Sequence, residues 1–158
     1  MIIFTPNTVI KSADVNLNFA DNTNKISGSF NLYYAPGGTF STNSTSYVDA
    51  GPSVTYTTGS QAERLFIWHS GMDIVTNAAG SLWVTLNIAG TDQNDMSDYN
   101  NNTSIWSHFE KMYIYDAPAN TAVTMKSRIK TEQGNPTYAV LHTASPYGVC
   151  IRGFGVKI

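Results

Sequence analysis

The chain is short of most things that chemistry needs. It has one cysteine, Cys150, so no internal disulfide is open to it. That thiol lies among apolar neighbours in YGVCIRGFGV and reads as a small buried hydrophobe, not a nucleophile. Charged residues are 13% of the chain, against roughly 25% in an average soluble domain. Nine basic and eleven acidic residues leave a net charge of −2, without the basic patch that a phosphate backbone requires, so nucleic acid is not an expected partner. Long apolar runs are missing too. No stretch approaches the ~20 residues of a membrane-spanning helix, and no membrane insertion is expected. The opening MIIFTP has neither a basic start nor an apolar run long enough for a secretory signal, so synthesis in the cytoplasm without export by a cleaved signal is expected.

The catalytic vocabulary is thin as well. His69, His108 and His142 stand singly, with no pair at metal-ligand spacing. No GxSxG, HExxH, phosphate-binding loop or dinucleotide fingerprint occurs. Glu63, Glu110 and Glu132 offer no visible acid pair for glycoside chemistry. The expectation is a protein that is not an enzyme, with no cofactor, no metal and no catalytic residue.

What is present points to a β-protein. At 158 residues and 42% apolar content the chain can bury roughly 70% of its unfolded surface and needs no covalent staple. Its polar surface must come from Ser, Thr, Asn and Gln, as in many proteins that work on an exterior. From Ser46 onward the apolar period is two. Leu82, Val84, Leu86 and Ile88 fall on one face and Trp83 and Thr85 on the other; Phe109, Lys111, Tyr113 and Tyr115 oppose Glu110, Met112 and Ile114. Seven or eight strands with short turns predict an antiparallel, jelly-roll-like β-sandwich over residues 46–158. Residues 29–45, with a turn at Pro36–Gly38, read as a connector holding a short extended piece at Phe30–Tyr34.

Residues 12–26 read differently. Ser12 suits an N-cap, Asp14 sits in the first turn, and Val15, Phe19 and Ile26 share one stripe of a helix that Gly28 ends. Its asparagines are weak helix formers, so it needs tertiary support from its own sandwich or from other copies. Residues 1–28 are accordingly an arm for attachment or oligomerisation.

Three further features bear on partners. Trp68, Trp83 and Trp106, with Tyr113 and Tyr115, suit core or interface positions, or a platform for sugar faces. The long loop Gly90–Ser104 carries Asp92, Asn94, Asp95 and Asp98; their spacing fits no EF-hand, which favours structural or incidental acidity, or a partner contact, over calcium. Lys126, Arg128 and Lys130 alternate and predict a solvated strand face.

The opening segment TVIKSADVNLNFADNTNKI resembles one that recurs in virion proteins of tailed bacteriophages, especially tail fibres and related appendages. The residues that carry the likeness are Ile10, Ala13–Asp14–Val15–Asn16 and Asn18–Phe19. Where the family continues into a leucine-rich helix, Ala20–Lys25 is mostly polar, which argues against a long coiled coil. STSYVDAGPSVTYTT and RLFIWHS are similar, more loosely, to β-rich modules of phage fibres and decorations. The resemblance implies a structural protein of the virion exterior, on capsid or tail, made in the host cytoplasm and assembled as a homotrimer. Ile10, Val15, Phe19 and Ile26 would then hold sister chains or other virion proteins. The alternative is a glycan-binding host-attachment module; a glycan depolymerase ranks third.

Overall fold

The computed structural model describes residues 26–33, 39–75, 81–93, 96–98, 107–132, 139–142 and 148–158. Strands run in the order β1 (Ile26–Tyr33), β2 (Thr39–Thr42), β3 (Val48–Thr57), β4 (Glu63–Val75), β5 (Leu82–Ile88), β6 (Thr91–Asp92), β7 (Met96–Asp98), β8 (Ser107–Ala117), β9 (Ala122–Thr131), β10 (Ala139–His142) and β11 (Cys150–Lys157). They form two antiparallel sheets. In the first, β4 is flanked by β8 along one edge and by β11 and then β10 along the other, with β1 outside β11 and β2 outside β10. In the second the order is β3-β9-β5, with β6 and β7 on the far edge of β5.

The two sheets share one core. Leu65 and Ile67 of β4, Phe109 and Tyr113 of β8, Phe30 of β1 and Ile151 of β11 face Leu82, Val84, Leu86 and Ile88 of β5 and Val123, Met125 and Ile129 of β9. Alternation puts these residues inward, and each fully buried Leu or Ile contributes roughly 1.5–3 kcal/mol. The molecule is therefore mainly β and built as a sandwich, as the period of two predicts. Strand β5 is buried on both faces, because Thr91–Gln93 folds back over Thr85 and Asn87. The β5–β6 reversal is a two-residue turn in which Ala89 (φ 50°) and Gly90 (φ 87°) both adopt left-handed backbone.

One polar bridge crosses the core. His69 of β4 is fully buried, its Nε2 lies 3.0 Å from the Ser127 hydroxyl of β9, and its ring meets Phe109 edge-on. Its Nδ1 has no hydrogen-bond partner among the described residues. Burial pushes its pKa down to about 3, so the ring is neutral.

The structure departs from the sequence expectation near the start of the chain. The helix expected over 12–26 lies outside the described residues except for its last position, and Ile26 opens strand β1 instead. Gly28, expected as the helix stop, pairs with Gly155. Residues 29–45 are more than a connector: β1 pairs with β11 over seven registered positions from Ile26 to Tyr33, and β2 pairs with β10. The physical reason is long-range. A Gly-, Ser- and Asn-rich segment has poor strand propensity, and it is held by hydrogen bonds to a strand more than a hundred residues away.

Candidate functional site

The register of the first sheet decides what its outer face presents. Across β8, β4, β11 and β1 one row reads Ile114, Phe66, Phe154 and Ser29; the next reads Met112, Trp68 and Arg152. Phe66 stacks on Phe154 at 5.4 Å between ring centroids, and Trp68 tilts against Phe154 at 5.9 Å. Beside them Met112 and Ile114 remain 49% and 56% exposed, which is unusual for large apolar side chains that adjoin one another. The result is an aromatic and aliphatic surface spread over three strands.

Two ion pairs bound this surface, and they differ in strength of hold. Arg64 grips Asp116 through two hydrogen bonds of 2.7 and 2.8 Å, which raises the guanidinium pKa and lowers that of the carboxyl. Arg152 meets Glu110 only at 3.8 Å, with both side chains about half exposed. Between Arg152, Trp68 and Phe154 lies an open cleft of about 460 Å³, also lined by Ser29, Phe30 and Gly153.

The outer face of the second sheet is organised differently. Lys130 sits over the rings of Tyr47 (4.3 Å) and Trp83 (5.2 Å). Arg128 donates to Asp92 at 2.5 Å and to the Tyr47 carbonyl and lies 3.0 Å from Asp49 as an ion pair, while Lys126 pairs with Asp49. Burial alone would raise the Asp92 carboxyl; the Asn87 amide and the guanidinium outweigh it and hold the pKa low. The polar cleft of about 360 Å³ here, lined by Asn87, Gly90, Thr124, Lys126 and Arg128, is thus walled by charges already matched within the protein.

A third cluster sits between the sheets at the β3–β4 end. Glu63 is fully buried and accepts hydrogen bonds from Tyr56 (2.8 Å) and the Gly59 N–H (2.7 Å), with Ser27 3.4 Å from the tyrosine oxygen. Burial raises its pKa, but bonds from Ser27, Gly59 and Tyr56 and the nearby Lys157 win, so the carboxyl stays below its usual value. Gly155 closes over it so tightly that a Cβ there would collide with Glu63 Oε2. A carboxylate that is ionised, fully bonded and covered is a poor proton donor and has no room for substrate; it ties β1, β3, β4 and β11 together.

The residues singled out from sequence scatter accordingly. Trp68 lies on the outer face of the first sheet and Trp83 on the outer face of the second, so they form no common platform. Tyr113 is buried among the core residues, and Tyr115 packs partly buried against them; alternation places both on the inner side of β8, with Phe109. Tyr113 is thereby withdrawn from the surface. Ile26 is 58% exposed at the start of β1. Ile10, Val15, Phe19 and Trp106 lie outside the described residues, as do Asn94 and Asp95; the stretch expected as a long loop instead carries β6 and β7, held by pairing with β5. Among the described residues no group of three or more His, Cys, Asp or Glu is placed to hold a metal ion, and no helix is long and apolar enough to cross a membrane. Lys126, Arg128 and Lys130 share one face, as predicted, but each is engaged by acids or aromatic rings.

Sequence reasoning passed over Phe66, Met112, Ile114, Arg152 and Phe154. One signal was readable: FEKMYIYDA carries large apolar residues on both faces of a strand, more than a half-buried strand needs.

No protein-family model matches the chain, and no curated protein matches it in sequence. Among solved structures, the VP2 subviral particle of infectious bursal disease virus is similar at a TM-score of 0.48 and 12% identity, covering 83% of this chain and 37% of that one. The C-terminal domain of EclA, a sugar-binding protein, is similar at a TM-score of 0.39 and 12% identity, covering 76% and 81% of the two chains. The CBM36-1 domain of a multidomain xylanase from the hindgut metagenome of Trinervitermes trinervoides is similar at 0.38 and 11% identity, covering 80% and 97%. The chain thus spans little more than a third of the viral protein. At these values the likenesses assign it no family, ligand or partner.

Proposed function

We propose that this chain is a non-enzymatic structural module on the exterior of a tailed-phage virion, a capsid or tail decoration or fibre component. In this reading it is made in the host cytoplasm, is attached through the segment before β1, assembles as a homotrimer, and holds out a jelly-roll-like sandwich. The observation that carries a contact role is the apolar outer face of the first sheet, where Met112 and Ile114 adjoin Phe66, Trp68 and Phe154. The virion assignment draws its support from the ADVNLNF segment at Ala13–Phe19.

The test is particle association. Full-length chain and a truncation beginning at Ile26 are expressed during infection, and purified particles are analysed by mass spectrometry. The cut belongs before Ile26, because a cut after Gly28 would remove Ser27 from the Glu63 cluster and the start of β1. The expected result is that the full chain is retained on particles and the folded truncation is lost. Retention of neither overturns the virion assignment, and retention of both overturns attachment through the segment before Ile26.

A second reading, a glycan-binding host-attachment module, is favoured by the cleft beside Trp68 and Phe154.

A further inference from the structure

We propose that this cleft binds a saccharide that carries a carboxylate, a hexuronate or an equivalent acidic sugar, with Arg152 as the group that recognises the charge. The proposal rests on the glycan-contact reading above and names its ligand.

Three observations converge. First, the cleft has the size and make-up of a small-ligand site. About 460 Å³ falls within the roughly 300–1,000 Å³ common for such sites, and the walls are aromatic with a few polar groups. Trp68 and Phe154 meet at 36°, with Phe66 stacked behind Phe154, so the rings form a supported wall against which the C–H face of a pyranose can lie. Ser29 lines the same space, and a serine hydroxyl can exchange hydrogen bonds with sugar hydroxyls.

Second, the two arginines of this face are not equivalent. Arg64 is committed to Asp116 by two short bonds and does not line the cleft. Arg152 does line it, and its hold on Glu110 at 3.8 Å between exposed groups costs little to exchange. A guanidinium presents a planar fork of donors that matches a carboxylate, so an incoming acid offers Arg152 a bidentate acceptor that Glu110 does not supply here.

Third, Trp83, the other tryptophan among the described residues and likewise partly buried, lacks this arrangement. Lys130 lies over Trp83, and Lys126 and Arg128 nearby are matched by Asp49 and Asp92. A ligand there would have to break internal pairs, whereas beside Trp68 it has to loosen one weak one.

The full-length protein is titrated calorimetrically with oligosaccharides containing glucuronate, galacturonate or mannuronate, each beside its methyl ester. The ester keeps the ring and removes the charge. The expected result is that one acid form binds at least about tenfold more tightly than its ester. Arg152→Gln should erase that difference while leaving ester binding in place. Trp68→Ala should abolish binding of both forms while the protein still unfolds in one cooperative transition, and Trp68→Phe should restore part of the binding. Equal binding of acid and ester, or a preference that survives Arg152→Gln, overturns the acidic-ligand proposal and leaves the glycan reading standing. Binding of neither form overturns both. Sedimentation that shows self-association broken by Trp68→Ala would assign the face to a second copy and also overturns the proposal. Retention of the chain on particles is read separately and depends on none of these outcomes.

Discussion

Acid should unfold this protein from the inside, through His69. The ring is fully buried, its Nε2 is paired with Ser127, and a proton on Nδ1 would create a buried cation with no acceptor among the described residues. The folded pKa is about 3, against 6.5 for a free histidine. Between those values the unfolded chain binds a proton that the folded chain refuses. Stability from this source is therefore complete above pH 6.5 and is lost as pH falls towards 3. At about 1.36 kcal/mol per pH unit the full loss is roughly 5 kcal/mol, and the part between pH 7 and pH 5 is roughly 2 kcal/mol. Paired carboxylates such as Glu63 and Asp92, whose pKa values are lowered, lose their contribution only at lower pH. Urea unfolding followed by tryptophan fluorescence at pH 7, 6 and 5 reads the effect; with a slope of roughly 2 kcal/mol/M the midpoint should fall by about 1 M. The control is His69→Leu combined with Ser127→Ala, which removes the titrating group and the hydroxyl it would leave stranded. Its midpoint should move much less over the same range, whatever its absolute stability. If wild type and the double variant lose stability in parallel, the histidine is not neutral in the core and the reasoning fails.

Other perturbations test separate parts of the structure. Ala89→Asn should stabilise by roughly 0.5–1 kcal/mol, because the turn needs left-handed backbone at a residue that pays for it, and thermal melting will show the gain. Gly155→Ala should cost roughly 2–3 kcal/mol, since the new methyl would collide with Glu63 and come 2.8 Å from the Tyr56 hydroxyl oxygen; an unchanged melting temperature would show that the Glu63 cluster is looser than described. Glu63→Gln should cost roughly 1–3 kcal/mol in chemical denaturation, because one amide oxygen cannot replace the two carboxylate oxygens that accept from Tyr56 and Gly59. Met112→Thr with Ile114→Thr should change stability by less than about 1 kcal/mol, because both side chains are half exposed, yet should lower retention on a hydrophobic-interaction column; a large loss of stability would place them in the core.

Much of the fold is legible because strand periodicity is local. In SLWVTLNIAG and FEKMYIYDA alternate residues separate inward from outward positions before any partner strand is known, and the structure keeps those separations. The same logic makes the β-class and the shared face of Lys126, Arg128 and Lys130 readable. What alternation cannot say is which face meets the core when both are apolar. In β8 the choice of Phe109 and Tyr113 as inner residues, with Met112 and Ile114 left outside, depends on pairing with β4.

Composition and local pattern alone thus determined a β-rich chain with little charge, one thiol and no recognisable catalytic motif. Only the tertiary structure decided that Ile26–Tyr33 is a strand, that Glu63 and His69 are buried, that Trp68 and Trp83 face opposite ways, and that Trp68, Arg152 and Phe154 meet around one cleft. The reason is distance along the chain. A cleft assembled from β1, β4 and β11 depends on hydrogen-bonded registers between segments up to a hundred or more residues apart, and register is a property of the packed sheets, absent from any one stretch of residues.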